Sequence, residues 1–240
     1  MSKPLNWTPA GPIANAYEHA RDRFAVIIGP DGSGKTTASA RRCIRAATWQ
    51  PVDDEGVRYA RVLVIGPTTR ALRDQVLPSF LQAVEGIDFN RTTSSDGDVD
   101  LFFGLDDGDG AVALHVMFRG LNGVDPDHFF MGLELTGVWA PNLDWYKDDA
   151  VVRAALRRVG RYPGLAVTKR PSGDSFGGVW GDCPDYRVPA WLADLPTQQY
   201  AQPPGYDPAS SDGFSASAEN VEALRAACPD FYRRLNAVRA

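Results

Sequence analysis

Lysine, cysteine and histidine are all scarce in this chain of 240 residues, and each shortage narrows what it can do. The three cysteines, Cys43, Cys183 and Cys228, are odd in number and far apart, which fits neither a disulfide framework nor a zinc site, so they read as reduced thiols. His19, His115 and His128 are too scattered to build a metal centre. No stretch approaches the roughly 18 consecutive apolar residues of a membrane span, and the first eight residues lack the basic and apolar regions of a signal peptide. A cytosolic chain with no membrane attachment is expected. Positive charge is not in excess either: the net charge of −5 excludes a protein that coats nucleic acid by electrostatics alone, while leaving room for one that grips it locally. Only Lys3, Lys35, Lys147 and Lys169 supply lysine among 25 basic residues, so a lysine inside a glycine loop is not a by-product of composition.

What is present is a core and an alternation of strands and helices. With 44% hydrophobic residues the chain can fold as one large domain or two small ones. After a proline-rich lead-in and a helical segment at 13–23, the apolar run Phe24-Ala25-Val26-Ile27-Ile28 suits a strand buried on both faces. A glycine loop follows, then a helix at 36–48. A second strand at 61–65 leads into a helix at 69–84. Residues 90–110, crowded with Asp, Gly, Ser and Thr, read as a hairpin or surface insertion around a strand at 99–103. Further strands are expected at 111–118, 137–140 and 178–181, with a helix at 148–159. This order predicts an α/β fold with a mainly parallel sheet flanked by helices. Residues 196–217, poor in hydrophobics, read as an irregular linker, and a terminal helix is expected at 218–227. The boundaries are thus 1–195 for the main domain and 196–240 for the linker and terminal helix.

The loop Gly29-Pro30-Asp31-Gly32-Ser33-Gly34-Lys35-Thr36 matches G-x-x-x-x-G-K-[ST] in full. Glycines let successive backbone N–H groups turn inward around a phosphate, and the following helix adds its positive N-terminus. Lys35 would reach the β and γ oxygens, the Thr36 hydroxyl would ligate Mg²⁺, and Thr37 would reach the α-phosphate. A chance match in a chain this long is on the order of one in a hundred, and the flanking strand and helix lower that further. The expected ligand is ATP with Mg²⁺.

Several segments, in order, resemble the ATPase region of the large terminase subunits of tailed bacteriophages. They are the run from Phe24 to Thr37, Arg58-Tyr59-Ala60-Arg61-Val62-Leu63-Val64-Ile65 with Thr69-Arg70-Ala71-Leu72-Arg73, Phe118-Arg119-Gly120-Leu121, Leu133-Glu134-Leu135-Thr136-Gly137-Val138-Trp139, Arg158-Val159-Gly160-Arg161-Tyr162-Pro163, and, late in the chain, Gln202-Pro203-Pro204-Gly205, Ala218-Glu219-Asn220 and Phe231-Tyr232-Arg233-Arg234-Leu235. The resemblance implies a P-loop NTPase fold and an ATPase motor that drives double-stranded DNA through a portal protein into a capsid. It further implies a small terminase subunit as partner, a conditional homo-oligomeric ring, and a location in the bacterial host cytoplasm, transiently at the procapsid portal. A nuclease domain, usual in the family, is not expected within 240 residues.

Two departures from the family pattern bear on catalysis. Where it places a Mg²⁺-associated Asp or Asn and then a catalytic Glu, this chain has Pro141 and Asn142. A neutral amide orients water but barely accepts its proton. Asp144 and Glu134 are the candidate replacements. Near Trp180-Gly181-Asp182-Cys183-Pro184 the usual Thr-Asn-Pro coupling motif is absent, and Asp31 stands where many relatives carry Arg. Arg119 is a candidate trans-acting finger. Arg153, Arg157 and Arg161 would form a basic stripe on the 148–159 helix, whereas Arg41, Arg42 and Arg45 are expected to face solvent. Two rival functions stay open: a degenerate subunit that binds ATP without efficient hydrolysis, and a P-loop kinase.

Overall fold

The parallel strands at the heart of the sheet are apolar at most positions, as a sheet covered on both faces requires. The computed structural model describes residues 11–106, 108–162 and 175–202. Helix α1 (Pro12–His19) precedes β1 (Phe24–Gly29), α2 (Lys35–Thr48) and β2 (Val57–Gly66); α3 (Thr69–Ala71) and α4 (Leu77–Ala83) follow. Next come β3 (Phe89–Thr93), β4 (Val99–Asp106), β5 (Ala111–Gly120), α5 (Pro126–Phe129), β6 (Gly137–Ala140), α6 (Ala150–Leu156), β7 (Gly178–Pro184) and β8 (Gln198–Ala201). The eight strands lie in the order β3-β4-β5-β2-β6-β7-β1-β8. All neighbours from β5 to β8 pair in parallel, and the β3–β4 hairpin adds to β5 antiparallel. The mainly parallel α/β sheet expected from the sequence is present, and the polar 90–110 region is that edge hairpin.

Period-two alternation divides each inner strand between two cores. Ala25 and Ile27 of β1, Val62 and Val64 of β2, Trp139 of β6 and Trp180 of β7 face α2 and α4. Phe24, Val26, Ile28, Leu63, Ile65, Val138 and Val179 face the opposite side, where α6 lies. Asp182, two residues beyond Trp180, therefore belongs to the α2 side.

The expected helix at 69–84 is broken into α3, a π-helical segment Leu72–Val76 and α4. Pro78 at the start of α4 cannot donate to Asp74 and crowds its carbonyl, which accounts for the wider turn just before it. Helix α6 stops at Leu156, earlier than expected, with Gly160 at φ 76° shortly beyond. Arg153 pairs with Asp149 and Arg157 with Asp127, so the expected arginine stripe dissolves into separate surface ion pairs. Arg42 was expected in solvent and is fully buried instead. It donates to Tyr17 O at 2.6 Å and lies over the Tyr17 and Trp180 rings, cation–π contacts that help hold a charge inside. The supposed irregular stretch after residue 195 contains β8, which pairs in parallel with β1, so the sheet extends past the expected boundary. The terminal helix expected at 218–227 lies outside the described residues.

Candidate functional site

The loop leaves the C-terminal end of β1 and turns straight into α2. Gly34 holds φ 81°, ψ 11°, a left-handed conformation that a side chain disfavours, and hands its carbonyl to Ala38 N at 2.9 Å as the first helical bond. Ser33, Gly34, Lys35, Thr36 and Thr37 line a cleft of about 280 Å³ with Asp182. Asn142 closes it from the loop after β6, and Ser79 and Gln82 of α4 wall it from across α2. Asp31 and Gly32 also reach the cleft, but both are exposed, so the Asp31 carboxylate stays in water.

Lys35 is only 5% exposed. Its Nζ donates to Pro30 O at 2.5 Å and lies 3.4 Å from Ser33 Oγ. Burial pushes its pKa below the ordinary lysine value, opposed chiefly by Asp182 and Asp31. It is a desolvated ammonium held by neutral oxygens, and an anion entering the cleft would meet it with little water to displace.

Gln202, just past β8, grips the loop from behind and is fully buried. Its Nε2 donates to Ser33 O at 2.9 Å, its Oε1 lies 2.5 Å from Ser33 Oγ, and its backbone N–H donates to Ile28 O at 2.7 Å. A Cβ on Gly29 would overlap the Gln202 side chain, so this close approach needs glycine there. Gln202→Ala should cost about 1–3 kcal/mol of stability, since it takes the side-chain donor from the buried Ser33 carbonyl and leaves the Ser33 hydroxyl only Pro30 O as acceptor. Urea unfolding measures this directly, and an unchanged midpoint would mean the loop is held without Gln202.

Asp182 escaped the sequence reading, which ended the strand at residue 181. It is 1% exposed. Oδ1 accepts from Trp139 Nε1 at 3.0 Å and Oδ2 from the Asn142 backbone N–H at 3.2 Å. Burial raises its pKa, while those two donors and the Lys35 ammonium pull it down. Asn142 supplies its N–H from a left-handed conformation, φ 50°, that asparagine tolerates well.

Of the other candidates, the structure brings only Asn142 to the cleft. Glu134 precedes the N-terminal end of β6, six residues before Ala140, on the order of 15–20 Å from the loop end of the sheet. Asp144 pairs with Arg187 at 3.4 Å, beside a separate surface hollow that includes Lys147 and Trp191, while its charge still raises the pKa of Asp182. Arg119 stands on β5, four strand positions from β1, or roughly 19 Å across the sheet. Its guanidinium is held by Asp100 at 2.7 Å and Asp98 at 3.3 Å and donates to Val99 O and Phe118 O. That is a bracket between β4 and β5, so the guanidinium expected as a trans-acting finger is engaged by two carboxylates of its own chain.

Among solved structures the chain is similar to the large terminase of a thermophilic bacteriophage, with TM-score 0.53 and 14% identity over 89% of this chain and 48% of that one. Another crystal form of that terminase, in complex with ADP, gives 0.49 and 15% over 91% and 46%. The large terminase ATPase domain of a Thermus phage gives 0.47 and 14% over 94% and 90%. No protein-family model and no curated protein sequence matches the chain. The chain spans about half the length of the first of these terminases. At such identities the likeness is one of architecture: this chain shares the mainly parallel α/β fold of that large terminase.

Proposed function

We propose that the chain is the ATP-binding and hydrolysing module of a phage DNA-packaging motor. The observation that carries this reading is the full G-x-x-x-x-G-K-T loop set between a buried parallel strand and α2, with Lys35 desolvated at its centre. The cleft is at the small end of ligand sites, which suits a triphosphate tail with the nucleoside lying outside it. Loop N–H groups and the α2 N-terminus receive the phosphates, and Lys35 moves from Pro30 O to their β and γ oxygens. The side-chain oxygens that line the cleft with Thr36 come from hydroxyl, carboxylate and amide groups, which fits a hard cation, and Thr36 would hold Mg²⁺. Mg²⁺ supplies neutralisation of charge on the β and γ oxygens.

Double-stranded DNA as track, a portal protein and a small terminase subunit as partners, and a conditional ring of copies belong to the same proposal. The likeness of fold and the order of family segments in the sequence support it. The net charge of −5 favours gripping DNA at a few points over wrapping it. Phosphate release at saturating Mg-ATP, with and without double-stranded DNA, tests the proposal. DNA-stimulated turnover is expected. A chain that binds ATP but stays silent with DNA would be a degenerate subunit, and turnover that requires a small-molecule acceptor would make it a kinase.

A further inference from the structure

Hydrolysis needs an oxygen ligand beside Thr36 for the cation and a carboxylate near the attacking water. The end of β6 offers no carboxylate, because Pro141 and Asn142 follow Ala140. The end of β7 offers one. Ala140 lies opposite Gly181, so the next positions along the two strands are Pro141 and Asp182. Asp182 thus stands one strand spacing, about 4.8 Å, from where β6 would carry a carboxylate. The displacement runs toward the loop, since β7 lies between β6 and β1. We propose that Asp182 is the carboxylate of the nucleotide site, completing with the Thr36 hydroxyl the oxygen set for the divalent cation and accepting the proton of the attacking water.

This rests on the nucleotide reading above and adds the residue that reading lacks. Asp182 shares the cleft with Lys35 and Thr36 despite being almost wholly buried. Its two bonded donors, Trp139 and the Asn142 N–H, take one lone pair from each oxygen and leave one on each for a cation or water. The loop after β6 has kept a supporting role: Asn142 turns its N–H back toward the carboxylate on the neighbouring strand. In the reaction the water oxygen bonds to the terminal phosphorus as the bridging P–O bond breaks. ADP leaves with that electron pair, and the water's proton passes to Asp182.

The test compares the parent with Asp182→Asn and Asp182→Cys, each checked for native circular dichroism. Affinity for a fluorescent ATP analogue is measured without metal, with Mg²⁺ and with Cd²⁺. In the parent, Mg²⁺ should tighten binding by about 10- to 100-fold; both variants should lose most of that gain while keeping metal-free affinity. Cd²⁺ should restore it in the thiol variant alone, because thiolate is a soft ligand, an outcome that a merely structural aspartate would not produce. Phosphate release should fall by about 10² to 10⁴ in Asp182→Asn. An unchanged Mg²⁺ effect in whichever variant folds, or thiol-variant binding indifferent to Cd²⁺, overturns the proposal. If instead the parent does not bind the analogue, or binds it no better than Lys35→Ala, the nucleotide reading itself has failed.

Discussion

Lys35→Ala should weaken ATP binding by about 30- to 5,000-fold and melt no earlier than the parent. Truncating one side of a desolvated charge pair costs about 2–5 kcal/mol of binding, which converts to that range of Kd. The second half of the expectation follows from the ammonium's environment. Burial depresses its pKa, so the folded state holds this proton less tightly than the unfolded chain does. Its charge therefore opposes folding at pH values below that depressed pKa, and the penalty vanishes as pH rises past the ordinary lysine value. Alanine removes the penalty at neutral pH. Isothermal titration with ATP and a thermal melt on the same preparation decide the matter. Retained affinity would remove the loop from the site, and an early melt would make Lys35 a structural residue.

Trp139→Ala should cost about 3–5 kcal/mol of stability, the usual loss when a large aromatic leaves a core that cannot close over the gap. Trp139 is wholly buried on the α2 side of β6, its ring 6.4 Å from that of Phe80, and its indole N–H bonds to Asp182. Against a typical domain stability of about 5–15 kcal/mol, such a loss removes about a fifth or more of the margin. Trp139→Phe separates the two roles, since it keeps most of the ring and strands Asp182 Oδ1, at a cost of about 1–3 kcal/mol. Urea midpoints for the pair should fall in that order. Equal losses would mean that the hydrogen bond, not the packing, dominates at this position.

Local features of the fold were legible because each is written into a short stretch. The run from Phe24 to Ile28 announces a two-faced strand, the glycines mark the loop, and residues 36–48 contain no helix breaker. What depends on tertiary register was not legible. Arg119 looked free because its partners, Asp98 and Asp100, sit some twenty residues earlier and meet it only through the β4–β5 pairing. Arg42 looked solvated because nothing in an arginine-rich helix says which side the Tyr17 ring will cover. Gln198-Gln199-Tyr200-Ala201 carries no apolar pattern, and it becomes a strand because the open edge of β1 receives it. Asp182, set among glycine, cysteine and proline, resembles a turn residue until β7 is seen to run through it to Pro184. The misplaced catalytic candidates share this cause: they were sought along the chain, and the carboxylate in the cleft lies across the sheet.

The place of β1 in the sheet has a consequence for synthesis on the ribosome. Both of its neighbours, β7 and β8, come from residues 178–201, whereas β1 itself ends at Gly29. At about 5–20 residues per second, the ribosome needs about 10–35 s to add the intervening residues. During that interval β2, β5 and the β3–β4 hairpin can pair among themselves, because they are neighbours in the sheet and close in sequence. β1 has no strand to join. The nascent chain thus carries an apolar segment with two open edges, the kind of surface that chaperones cover and that seeds aggregation when they do not. The phosphate loop is thus made well before the strands that flank β1 and, with β1, is among the last of the described elements to be fixed in place.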